Sequence, residues 1–283
     1  MTNEDAIKYL KFLTKTYSTV TDAIKVSKQR LLAFSDEGFD YQYDSFLKGQ
    51  KHEDGLETVK GRITREIEKE LNKWDIWELW LKGVPGIGPA IASQLIMLYY
   101  YRFDPICKDC GGDLQKNDGA LICCDCGKKA KDGMLKYKVG FKDFQTISKW
   151  WAYMGRNVVD GAMPKRKKGA LVNWSPVGRE LGFQISDQFN RHKDKTMYGK
   201  FLLDRKEKHV KNNDSRDEPW SKGHILNAAK NEAVKLFLSH FWVVARTLDG
   251  KSVSQPYAST IMGHTNIIDP FYFDMDEYVR KVA

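Results

Sequence analysis

The chain has no apolar run approaching the roughly 18 residues that a membrane-spanning helix needs. Its first residues, Met1-Thr2-Asn3-Glu4-Asp5, are polar and acidic and do not follow a secretory-signal pattern. A soluble, intracellular (cytoplasmic) protein with no membrane partner is expected. Cysteine is scarce: there are five, all between Cys107 and Cys126. That confinement argues against a disulfide framework and agrees with a reducing compartment. HExxH, GxSxG and P-loop motifs are absent, so three common catalytic signatures are missing. The helical N-terminus offers no strand with acidic residues for a two-metal nuclease. There is no internal repeat, no low-complexity run, and no heptad pattern long enough to demand a coiled coil.

What the chain does carry is positive charge. Its 283 residues hold 46 Lys and Arg against 37 Asp and Glu, a net charge of +9 that favours a polyanionic partner. Residues 161–222 alone contain 15 basic and 8 acidic residues, so their net +7 supplies most of the excess. Hydrophobic residues make up 42%, enough for a sizeable core in one large domain or two modest ones.

The stretch that organises the rest is Gly83-Val84-Pro85-Gly86-Ile87-Gly88-Pro89-Ala90-Ile91-Ala92. Apolar, helix-like segments flank it, Trp74–Leu81 before and Ile91–Leu98 after. This is the pattern of a helix-hairpin-helix. Gly86 and Gly88 permit a tight turn, and Pro89 suits the first turn of the second helix, where its missing N–H is no loss. Amides at that helix start would face a phosphate at the positive end of the helix dipole. Gly86, Ile87 and Gly88 are therefore candidate nucleic-acid contacts, gripping backbone without reading sequence. The plainer alternative is a glycine loop joining two core helices.

Cys107-Lys-Asp-Cys110 and Cys123-Cys-Asp-Cys126 form two CxxC knuckles twelve residues apart, each followed by glycine. Four thiolates at this spacing suit a closed tetrahedral Zn²⁺ of the ribbon type, structural because no coordination position stays open. Cys107, Cys110, Cys123 and Cys126 are the expected ligands and Cys124 the bystander.

Around these motifs the periodicity predicts helices over 4–33, 55–73, 141–160 and 224–246, the last the most apolar. The expected fold is mainly α: a helical domain built around the hairpin, with a small β zinc-ribbon insertion. The expected segments are 1–73 (long N-terminal helices), 74–100 (hairpin), 101–136 (ribbon) and 137–283 (C-terminal helical domain). The N-terminal helices are a candidate homodimer contact. Lys165-Arg166-Lys167-Lys168 lie between loop signals and are candidates to clamp a nucleic-acid backbone, although a short charge run is often only a solvated loop. Trp174 is placed to stack on a base or to anchor a core. Asp160, His224 and His264 are the acid–base candidates. Their bland alternatives are a turn cap, a helix-start His and a loop His bonded to backbone.

From Trp80 to Arg246 the chain resembles the C-terminal half of the insertion-sequence transposases that work with a bridge RNA. The likeness rests on Val84-Pro85-Gly86-Ile87-Gly88, Phe144-Gln-Thr-Ile-Ser-Lys-Trp-Trp-Ala-Tyr-Met-Gly155, the basic loop, and a late helix with Ala228, Ala229 and Lys235. In that family a helix-hairpin-helix domain supplies a serine nucleophile and a RuvC-like domain supplies acidic metal ligands. Here the residues before the hairpin read as helices, and Arg156–Pro164, at the serine's place, contains no serine. Ser175 lies further along, and the ribbon is inserted. The resemblance implies nucleic-acid handling without transposition by this chain alone. The expected function is DNA binding through the hairpin and basic loop. The alternatives are an enzyme that modifies or excises a flipped DNA base, and a scaffold or RNA-binding subunit.

Overall fold

A computed structural model describes residues 4–34, 45–50, 53–117, 120–130, 135–158, 163–166, 172–253, 268–274 and 278. The fold is mainly helical with a small β module. Helix α1 (Glu4–Phe34) is followed by the short pair β1 (Gly49–Gln50) and β2 (Glu53–Asp54), then α2 (Leu56–Leu71), α3 (Asp75–Glu78) and a 3-10 turn (Leu81–Gly83). Helix α4 (Pro89–Tyr100) runs into β3 (Tyr101–Ile106), β4 (Leu114–Asn117), β5 (Ala120–Cys123) and β6 (Lys136–Phe141). The last helices are α5 (Ile147–Tyr153), α6 (Pro176–His192), α7 (Met197–Lys211) and α8 (Lys222–Leu248).

The helix starts follow from local chemistry. Thr146, Ser175, Thr196 and Ser221 each cap the helix that follows by accepting a backbone N–H with the side-chain oxygen. Helix α8 is the centre of the core, with Ala233, Val234, Phe237, Leu238, Phe241 and Trp242 all buried. A helix so apolar around its circumference must be covered on several sides, and α5, α6 and α7 pack against it. Trp80 lies across it, stacked on Phe237 at a ring-centre separation of 5.6 Å, and donates its indole N–H to the Phe271 carbonyl at 2.7 Å. One continuous hydrophobic cluster joins Ile7 and Leu10 of α1, Leu71 of α2, Leu95 of α4 and the α8 residues.

Some elements differ from the sequence reading. The helix expected over 141–160 is only Ile147–Tyr153, because β6 reaches Phe141 and a left-handed Gly155 stops the helix beyond Tyr153. The ribbon's closing strand thus passes the expected boundary at 136, pairing Ile106↔Lys136 through Tyr101↔Phe141 with β3. The first helical segment of the 74–100 unit is one α turn plus a 3-10 turn, not a continuous helix from Trp74 to Leu81.

A buried His contributes a pH dependence. His240 Nε2 donates to the Ile268 carbonyl at 2.9 Å, which leaves Nδ1 to accept from Tyr198 Oη at 2.8 Å. Burial pushes its pKa down from 6.5 to about 4, although the Ile268 carbonyl favours the charged form. An unfolded chain takes up this proton below about pH 6.5 and the folded chain only near 4, so stability falls as pH drops through that window and levels off below it. The advantage of the wild type over His240→Phe is expected to shrink by about 3 kcal/mol between pH 7 and pH 4. Urea unfolding across that range measures it; a constant difference would refute the assignment.

Candidate metal centre and nucleic-acid interface

The two CxxC knuckles fold alike. Gly111 N–H donates to the Cys107 carbonyl and Gly127 N–H to the Cys123 carbonyl, both at 3.0 Å. Both glycines sit at positive φ, 79° and 68°, where a side chain is strained. The strands β4 and β5 pair Leu114↔Cys123 to Asn117↔Ala120 and set the second knuckle against the first. The ligand atoms of Cys107, Cys110, Cys123 and Cys126 all lie within 4.8 Å of one another. Two of the separations are 3.7 Å (Cys107–Cys126) and 3.4 Å (Cys110–Cys123). A tetrahedron with metal–sulfur bonds of about 2.3 Å has edges of about 3.8 Å, so the cage is close to the size of a metal site. The amides of Cys110 and Asp109 point at the Cys107 sulfur and hold its thiol down to about 7. Cys124 is exposed and stands outside the cluster.

The turn from Val84 to Ala90 is half embedded. Val84 and Ile87 are buried and anchor it, whereas Pro85 and Gly88 are exposed. Gly86 adopts φ 92°, and a Cβ there would lie 3.1 Å from Gln188 Cβ and 3.2 Å from His192 Cδ2. The turn is therefore packed against the C-terminal half of α6. Among the described residues, the amides of Gly86, Gly88 and Ala90 have no acceptor. Ile87 differs from its sequence assignment: its N–H is bonded to the Val84 carbonyl at 3.0 Å and its side chain is in the core, so it has nothing to offer a ligand.

Of the basic loop, Lys165 and Arg166 are exposed. The preceding Pro164 carbonyl accepts from the Arg179 guanidinium, which fixes the loop to the N-terminal part of α6. Arg179 and Gln188 are nine residues apart on one helix, about 14 Å, so α6 carries the basic loop at one end and the glycine turn at the other. Trp174 is not a free stacking platform. Its ring faces the Arg179 guanidinium at 4.7 Å on one side, and a Cβ on Gly155 would lie 3.2 Å from it. Lys167, Lys168, Asp160 and His264 fall outside the described residues. His224 is exposed in the first turn of α8, stacked on Trp220 at 4.2 Å and 9°. It does not line the groove described next.

Between turn and β module runs a groove of about 890 Å³. Its floor is α4 (Ala90, Ile91, Gln94, Met97), one wall is α1, and the other is a single stripe of α6: Val177, Glu180, Gln184, Asp187, Gln188 and Arg191. Arg102, Phe103, Lys142 and Tyr153 close the end away from the turn. Lys142 Nζ donates to the Leu98 carbonyl at 2.8 Å and to Tyr153 Oη at 2.9 Å. Burial, then Lys11 and Arg102, bring its pKa down to about 8. Lys11 lies over the Phe103 ring at 4.2 Å and is itself lowered by burial and by Lys15. Sequence reading missed this cluster, because its members are distant in the chain and each resembles a solvated surface charge.

These features define a class: a mainly helical protein with a four-cysteine metal-ligand cluster on a small β module. No family model, curated protein or solved structure matches the chain. Among the described residues no helix is long and apolar enough to cross a membrane.

Proposed function

We propose that this chain binds duplex or branched DNA by its sugar-phosphate backbone. The glycine turn and α4 act as the second half of a helix-hairpin-helix, and Lys165 and Arg166 supply a second contact. The observation that carries the reading is a set of three amides, Gly86, Gly88 and Ala90, that have no acceptor among the described residues and gather at the positive end of α4. Such a helix start is matched to an anion, and a chain of net charge +9 makes a polyanion the fitting one. The resemblance to transposase C-terminal domains belongs to the same reading. The four-cysteine cage takes Zn²⁺, because an all-sulfur tetrahedral site excludes the hard cations that need oxygen donors. With four protein donors the ion is structural and braces the β module beside the groove.

The test is Gly88→Asp. Nothing lies within 4 Å of a Cβ at Gly88, its φ is −83°, and it is the N-cap of α4. Asp is a favoured N-cap residue, so the fold is expected to hold or gain a few tenths of a kcal/mol. The added carboxylate occupies the amides and repels phosphate. Affinity for a blunt duplex is expected to fall at least tenfold, with the thermal midpoint unchanged or raised. In Lys165→Ala/Arg166→Ala the salt dependence of binding should flatten by about two charges. Wild-type duplex affinity in the Asp variant would remove the hairpin from the interface.

A further inference from the structure

The groove on α4 encloses about 890 Å³, and its lining is furnished for nucleic acid. We propose that it takes an unpaired segment of nucleic-acid strand continuing from the duplex held at the glycine turn. The proposal rests on the DNA-binding reading above, and on three further observations.

The first is charge. Lys11, Lys15, Arg102 and Lys142 gather at one end of the groove, and the groups that perturb Lys11 and Lys142 are all cations. Arg102 has Asp104 at 2.7 Å. Asp22, Glu180 and Asp187 also line the groove, but Asp187 is matched by Arg191 at 2.9 Å and Lys230 at 3.3 Å. Crowding like charges in a recess is unfavourable until an anion enters. The second is aromatic surface. Phe183 is 57% exposed on the α6 wall, with Lys230 Nζ over its ring at 5.4 Å. Phe103 and Tyr17 also line the groove, with Lys11 over the Phe103 ring at 4.2 Å and Lys60 over the Tyr17 ring at 5.2 Å. Unpaired bases stack on such rings, with little dependence on sequence. The third is continuity. The floor begins at Ala90, whose amide has no acceptor among the described residues and belongs to the turn, and α4 extends about 15 Å from there to its end at Tyr100, beside the cations. A strand leaving the turn would pass Gln94 and Gln184, amides suited to base edges, before its phosphates meet the lysines.

The experiment measures fluorescence anisotropy of the full chain with four labelled probes: a blunt DNA duplex, the same duplex with a single-stranded overhang, a single-stranded DNA and a single-stranded RNA of equal length. Variants are Lys15→Glu/Arg102→Glu, both exposed positions, and Phe183→Ala, with Gly88→Asp for comparison. The expected result is that wild type binds the overhang duplex more tightly than the blunt one. The charge reversals should remove that gain and weaken single-strand binding at least tenfold, with less than a twofold change for the blunt duplex. Phe183→Ala should weaken single-strand binding about tenfold. Gly88→Asp should show the opposite selectivity. The DNA and RNA arms tell which strand is preferred, and either supports the groove. Equal loss on all probes, or no advantage of the overhang, overturns the groove and leaves duplex binding standing. Single-strand binding without duplex binding overturns the hairpin and keeps the groove. Binding of no probe overturns both. Displacement of the single strand by polyglutamate of matching charge, as efficiently as by unlabelled strand, overturns the nucleic-acid assignment in favour of an acidic peptide.

Discussion

Stripping the metal is expected to melt the outer half of the β module and leave the helical core intact. Strands β4 and β5 are four residues each, and their Leu114, Leu121 and Ile122 are only half-buried. A two-stranded hairpin of that length has no independent stability. Within the knuckles only Cys107 and Cys123 are buried, so on the proposed reading a bound ion would replace the missing core. Structural zinc sites contribute on the order of 10 kcal/mol or more to the folding of such modules. The inner pair, β3 with β6, is held separately, because Tyr101 is buried in the main cluster and Phe103 and Val139 pack against it. Hydrogen exchange after chelation should therefore show fast amides from Leu114 to Cys126, near-native protection in the β3–β6 ladder, and unchanged protection in α8. Cys123→Ser should reproduce this pattern with loss of one equivalent of zinc, while Cys124→Ser should retain the metal. Persistent protection of Cys123 and Cys124, whose amides donate to the Lys128 and Asp113 carbonyls, after stoichiometric removal would disprove the structural role.

The second large effect is expected at Trp80. Truncation to Ala removes a side chain that stacks on Phe237 and meets Phe241 at 6.2 Å, and it orphans the Phe271 carbonyl. Loss of a fully buried aromatic costs about 3–5 kcal/mol, a large fraction of the 5–15 kcal/mol typical of a folded protein. Trp80→Phe keeps most of the packing but not the N–H, so its cost should be about 1–3 kcal/mol, mainly the unpaired carbonyl. Equilibrium unfolding in urea separates the two. A Trp80→Phe variant as stable as the wild type would mean that the link to the Phe271 carbonyl adds nothing. The comparison matters because Trp80 precedes the glycine turn and ties it to α8, so a loosened Trp80 should also weaken duplex binding.

Local chemistry was legible wherever neighbours in sequence act together. The two knuckles lie within twenty residues, and each glycine after a CxxC adopts the left-handed backbone that the motif requires. The apolar run around Phe237 and Trp242 announced the core helix. Misjudged residues were those whose surroundings come from elsewhere. Ile87 looked like part of a contact surface, yet its side chain pins the turn to the core. Trp174 left two readings open, a stacking platform or a core anchor, and Arg179 over its ring with Gly155 beside it favour the anchor. Arg156 drew no attention, although it is buried, bonded to the Arg179 carbonyl and Asn231, and pulled down to about 10 by burial and Arg179.

By itself the amino-acid order determined the four-cysteine cluster, the positions of most helices and the glycine turn, because each depends on residues a few positions apart. Only the tertiary structure decided that Lys11, Arg102 and Lys142 share one recess, and that α6 connects the basic loop with the turn. Those charges stand up to 131 positions apart, and helical periodicity reports which face is polar without saying what that face will meet. Packing of α1 and α6 over α4 brings them together, and with them the electrostatic character of the groove.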